Sequence, residues 1–133
     1  MRILMINKFL FLKGGTETYV FQLSEHLKKI GHEVQFFGMY DDRNIILNSK
    51  DQLVNNMDFH KKDFNTVTYP LKIIYSMESR RKIKKLISEF KPDVVHLNNY
   101  NYQLTPSIIY EINKHNIPMI QTIHDPNIVC PSR

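Results

Sequence analysis

A single cysteine, Cys130, is all the chain carries. It cannot close an internal disulfide, which suits a reducing compartment and favours the cytoplasm. No apolar run approaches the roughly 20 residues that span a bilayer. Ile3-Leu4-Met5-Ile6, directly after Met1-Arg2, is too short even for the apolar region of a secretion signal. A transmembrane segment is therefore not expected. No stretch is low in complexity and 23% of residues are charged, which excludes disordered and fibrous classes. Neither G-x-G-x-x-G nor a Walker loop is present, because Gly14-Gly15 lacks the lysine-Ser/Thr ending. Ordinary dinucleotide binding and ATP hydrolysis are disfavoured accordingly.

What is there is enough for one domain with a real core: 133 residues, 42% of them hydrophobic. The formal charge of +5 points to an anionic partner, which could be a nucleotide phosphate, nucleic acid or an acidic membrane surface. Charge alone does not choose among them.

Arg2 to Asn7 reads as a buried strand because its apolar residues are consecutive. The loop Lys8 to Gly15 follows. From Thr16 to Ile30 the residues Tyr19, Val20, Leu23, Leu27 and Ile30 fall at helical spacing, and Gly31 stands where a helix ends in a left-handed residue. Glu33 to Phe37 is a second strand, so the opening spells a βαβ unit with an expected right-handed crossover. Tyr40 to Thr68 is polar and poorly periodic and takes no assignment. Pro70 to Phe90 reads as one long helix or two abutting ones. Its apolar side is Ile73, Ile74, Met77, Ile83, Leu86, Ile87 and Phe90, and Arg80, Arg81, Lys82, Lys84 and Lys85 cluster midway. Pro92 stops it. Asp93 to Leu97 is a third strand, Thr105-Pro106 caps and starts a helix to about His115, and Pro118 to His124 is a fourth strand. Strands separated by helices define an α/β fold: a doubly wound, Rossmann-like parallel sheet in a single domain.

Ligands of such sheets bind beyond the carboxyl ends of the strands. The loops there hold Gly14 and Gly15, then Asn98, Asn99, Tyr100 and Tyr102, then His124 and Asp125. Gly14-Gly15 precedes a helix whose unpaired N–H groups and dipole can hold a phosphate; a plain tight turn is the alternative. Valine at Gly15 is expected to act through blocked approach and backbone strain. His124, bonded directly to Asp125, can donate a hydrogen bond to a sugar hydroxyl or stabilise charge, while His96 can equally be a structural histidine. His26, His32, His60 and His115 read as surface residues. A metal site from His96, His124, Asp125 and Cys130 matches no metal-binding spacing, and Cys130 has no base to make it a nucleophile. The cluster Arg80 to Lys85 is either a solvated helix face or a contact for an anionic membrane.

Together, Gly14-Gly15-Thr16-Glu17, Gly31-His32-Glu33-Val34, Lys91-Pro92-Asp93-Val94-Val95-His96-Leu97 and Thr122-Ile123-His124-Asp125 with Cys130-Pro131 resemble the N-terminal domain of the family 4 glycosyltransferases, retaining enzymes of the GT-B fold. The resemblance covers nearly the whole chain apart from Tyr40 to Thr68. It implies transfer from a nucleotide-sugar donor to a glycan or lipid-linked acceptor, with no metal or other cofactor, in bacterial surface polysaccharide assembly. It also implies that Gly14 and Gly15 face the donor diphosphate and that His124 contacts the transferred sugar, with Asp125 orienting the next loop. His96 and the acceptor-side residues Asn98, Asn99, Tyr100 and Tyr102 would complete the site. Family members bind the nucleotide through a C-terminal domain with an E-x7-E pair that these 133 residues lack, so the chain is expected to be inactive alone. A stand-alone nucleotide- or sugar-binding module is the alternative. Nucleic-acid binding lacks any motif or aromatic-basic interleaving.

Overall fold

The apolar run near the N-terminus forms β1 (Arg2–Ile6), and its residues divide between two cores. Ile3 and Met5 enter a cluster with Val20 and Phe36, whereas Leu4 and Ile6 enter one with Ile83, Leu86, Ile108 and Ile112. A strand apolar and buried at every position from Ile3 to Ile6 is what a sheet covered on both faces requires. The computed structural model describes residues 1–46, 53–54, 77–100, 104 and 106–124. The remaining elements are α1 (Gly15–Lys29), β2 (Glu33–Phe37), α2 (Met77–Phe90), β3 (Val94–Leu97), α3 (Ser107–Lys114) and β4 (Met119–Gln121). All strand pairs are parallel, in the order β2-β1-β3-β4, which bears out the Rossmann-like α/β expectation. Among the described residues no helix is long and apolar enough to cross a membrane.

Each described helix ends on a left-handed residue: Gly31 (φ 91°), Lys91 (φ 48°) and Asn116 (φ 54°). Glycine and asparagine adopt this conformation readily, and Pro92 after Lys91 prevents α2 from continuing. Pro106 has helical dihedrals at the start of α3, as expected of a first-turn proline; Thr105 lies outside the described residues. Pro70 to Ser76, Ile73 and Ile74 included, also lies outside them.

Three residues assigned to apolar helix faces are exposed instead: Tyr19, Ile30 and Met77. Ile30 and Met77 sit at helix ends, beyond the part of each helix that packs on the sheet, and Tyr19 turns toward the loop after β4. The fourth strand is also shorter than Pro118 to His124. Its residues pair with β3 over Met119–Gln121 and Thr122 N still donates to Leu97 O at 2.9 Å, so Ile123 and His124 are the residues that lie beyond the ladder at its carboxyl end.

The α2–α3 contact contains a buried ion pair. Arg80 Nε donates to Glu111 Oε2 at 2.7 Å, and the Glu111 side chain is 1% exposed against 27% for Arg80. The guanidinium holds the Glu111 carboxyl below the usual carboxylate range, against the opposing effect of its burial. A depressed folded pKa stabilises above the unfolded value, and this contribution disappears as pH falls through the folded value. Arg80→Met should therefore cost about 2 kcal/mol at neutral pH, below the ~3–5 kcal/mol for fully buried pairs because Arg80 stays partly solvated. The gap between parent and variant should narrow as denaturation is repeated from pH 7 toward pH 3. A gap independent of pH would contradict the assignment.

Candidate functional site

The chain leaves β1 toward β2 on one side and returns to β3 on the other, so the β1 and β3 carboxyl ends flank the crevice where open α/β sheets bind ligands. Three loops meet there. Asn7 N donates to Phe37 O at 3.1 Å and Asn98 N to Ile6 O at 2.9 Å, extending the ladders past the strands. The Asn7 side chain then ties the loops together. Its Nδ2 donates to Phe9 O at 2.7 Å and to buried Glu17 Oε1 at 3.2 Å, while its Oδ1 accepts from Asn99 N at 3.1 Å. Asn7 is fully buried and Glu17 is 4% exposed, so these polar groups rely on one another for hydrogen bonds.

Above this tie begins α1. Gly14 is its extended N-terminal boundary, and no side chain caps the helix start. Gly14 O accepts from Thr18 N and Thr18 Oγ1, both at 3.1 Å. Both glycines are exposed. A β-carbon at Gly15 would meet nothing within 4 Å, and its backbone is not left-handed. The expectation of backbone strain at Gly15 is thus corrected: what glycine preserves there is open space. Gly15→Val should leave stability within about 1 kcal/mol of the parent. On the phosphate-facing reading it should still weaken binding of a nucleotide diphosphate, which calorimetry would measure; unaltered affinity would contradict that reading.

The same loop brings cations. Lys13 Nζ lies 3.8 Å and Lys8 Nζ 4.9 Å from the Phe9 ring centroid. Burial, and then the neighbouring Lys13 charge, lower the pKa of Lys8. Both ammonium groups thus lie against one aromatic ring in the loop that leads into α1, whose first turn also holds the Glu17 carboxylate. Neither lysine was singled out from sequence, because lysines in a loop give no signal until the fold sets them against a common ring.

His124 stands after β4, beside the N-terminal part of α1. Its Nε2 is 3.0 Å from Asn98 Oδ1, and its ring meets the Tyr19 ring edge-on with centroids 5.2 Å apart. His96 is on the sheet face shared with Met5, and its Nε2 lies 2.8 Å from Thr122 Oγ1. Burial lowers the pKa of His96, with the nearby His124 contributing less. Asn98 is 3% exposed and committed to His124, and Tyr100 packs against the core cluster that includes Leu104 and Ile108. Asn99 is half-buried, with its backbone engaged by Asn7 and Lys8. Tyr102, Asp125, Cys130 and Pro131 lie outside the described residues, as does His60. His26 and His115 are exposed and His32 half-buried.

These features define an α/β domain with a polar crevice at its topological switch point. Residues 13–130 match the family model for Glycosyltransferase Family 4, and the chain belongs to that family. Glycosyl transfer is the general function this membership supports, with a sugar donor and an acceptor as partners. No curated protein matches the chain.

Proposed function

We propose that this domain is the N-terminal, acceptor-side half of a retaining glycosyltransferase that moves a sugar from a nucleotide-sugar donor to a glycan or lipid-linked acceptor. The observation that carries the reading is the approach of α1 to the loop after β4, where the Tyr19 ring, one turn into the helix from its uncapped start, lies 5.2 Å from the His124 ring. Gly14 and Gly15 admit the donor diphosphate to the helix N–H groups, which stabilise the charge of the departing group. His124 contacts the transferred sugar, and Asp125 orients the loop beyond it. His96 holds Thr122, and through it the approach to His124. Asn98, Asn99, Tyr100 and Tyr102 serve the acceptor side.

In this reading transfer is metal-independent and needs no cofactor beyond the donor. A C-terminal nucleotide-binding domain forms the other wall of the cleft, and the present residues alone do not transfer. Cytoplasmic work on surface polysaccharide at the inner membrane face fits the family resemblance. Arg81, Lys84 and Lys85, exposed on α2, suit peripheral contact with anionic lipid. Transfer assays with a panel of nucleotide sugars would test the proposal, comparing this chain with a polypeptide extended by a nucleotide-sugar-binding domain of the same family. Transfer by the extended protein only is the expected result. Binding of donor without transfer by either would favour a stand-alone binding module.

A further inference from the structure

The amide of Asn98 has a defined orientation. Its Nδ2 faces His96 O at 3.4 Å, and a flipped amide would set two acceptor oxygens against each other. Asn98 Oδ1 is therefore the atom that meets His124 Nε2 at 3.0 Å, and an amide oxygen can only accept. In the neutral ring the proton therefore sits on His124 Nε2. Across Cε1, His124 Nδ1 is left with a lone pair and no hydrogen-bond partner among the described residues. The Tyr19 ring, edge-on at 5.2 Å, restricts the imidazole from rotating out of this arrangement. Asn98 is nearly inaccessible, at 3% exposure, and its own backbone N–H is anchored on Ile6 O, so a rigid strand end holds the oxygen in place.

We infer that Asn98 is a positioning residue that fixes His124 as the Nε2–H tautomer, making Nδ1 a hydrogen-bond acceptor. The inference rests on the glycosyl-transfer reading only for its consequence: His124 accepts from the sugar rather than donating to it. The crevice then favours a donor sugar that presents a hydroxyl or an amide N–H at this point and disfavours one presenting a carboxylate, which has no proton to give.

The test is nitrogen-15 NMR of the histidine rings in the full chain, with His124 assigned by comparison with His124→Gln. The expected spectrum has a protonated Nε2 and a pyridine-like Nδ1 for His124. Asn98→Leu should move both signals toward the averaged values of exchanging tautomers. Retention of the parent's far-ultraviolet circular dichroism shows that the leucine variant is folded, and the parent spectrum by itself tests the tautomer if it is not. A protonated Nδ1 in the parent would overturn the inference. So would an unchanged His124 in folded Asn98→Leu. These readouts need no substrate, so a failed transfer assay leaves them standing and a wrong tautomer leaves the transfer reading standing.

Discussion

Gly38→Ala is expected to destabilise the protein by about 3 kcal/mol, near the upper end of ordinary overpacking costs, and to disturb the crevice along with the fold. A single β-carbon there would lie 2.4 Å from Asn7 O, 2.8 Å from Leu10 Cγ and 3.0 Å from Leu10 Cδ2. Leu10 is fully buried and the Asn7 oxygen is backbone, so neither can swing aside. The surrounding chain is also tied down: Met39 N donates to Lys8 O, Val54 N to Gly38 O and Ile45 N to Leu10 O, at 2.9–3.0 Å. Relief must come from moving the loop after β1, which carries the Asn7 tie to Glu17 and Asn99. Chemical denaturation measures the loss, and Gly15→Ala, which adds the same atom to open space, is the control expected to stay within about 0.5 kcal/mol. Equal stability of the two variants would contradict the packing described for Gly38.

His124→Ala is expected to lower transfer about 100-fold in a transfer-competent polypeptide carrying this domain, the scale seen when one preorganised polar group is removed from an active site. The fold should survive, because His124 is half-buried after the last strand and its described contacts are Asn98 and Tyr19. The kinetic signature distinguishes roles. A fall in kcat with KM little changed would place the interaction mainly in the transition state; a rise in KM alone would reduce His124 to uniform substrate binding. Unchanged turnover would remove His124 from the site.

The parts of this molecule legible in its sequence are those governed by local periodicity and punctuation. Consecutive apolar residues at Ile3 to Ile6 announced a strand covered on both faces, and Gly31, Pro92 and Asn116 marked the helix ends, because a left-handed or ring-locked backbone is encoded by residue type. His124 at a strand end could also be found, since parallel sheets present function at one edge. The cross-chain ties were not legible. Nothing local distinguishes Asn7 or Glu17 from solvated polar residues, and their partnership spans the loop and the start of α1. Tyr19 matched a helical apolar stripe, yet its ring is spent on His124, a contact between residues 105 positions apart. Gly38 showed no turn signal because its constraint is steric and comes from Asn7 and Leu10 rather than from its own dihedrals. Asn98 read as a ligand-facing amide on a loop, and neither its burial nor its bond to His124 was visible in the sequence.

The central claim, that the carboxyl edge between β1 and β3 is where the donor binds, is tested most directly by mapping amide shifts of the nitrogen-15-labelled chain during titration with nucleotide sugars. The account predicts changes concentrated at Lys8 to Thr18, His96 to Tyr100 and Thr122 to His124. Changes confined instead to the open pocket lined by Met77, Arg80, Arg81 and Lys84, with the crevice silent, would contradict it.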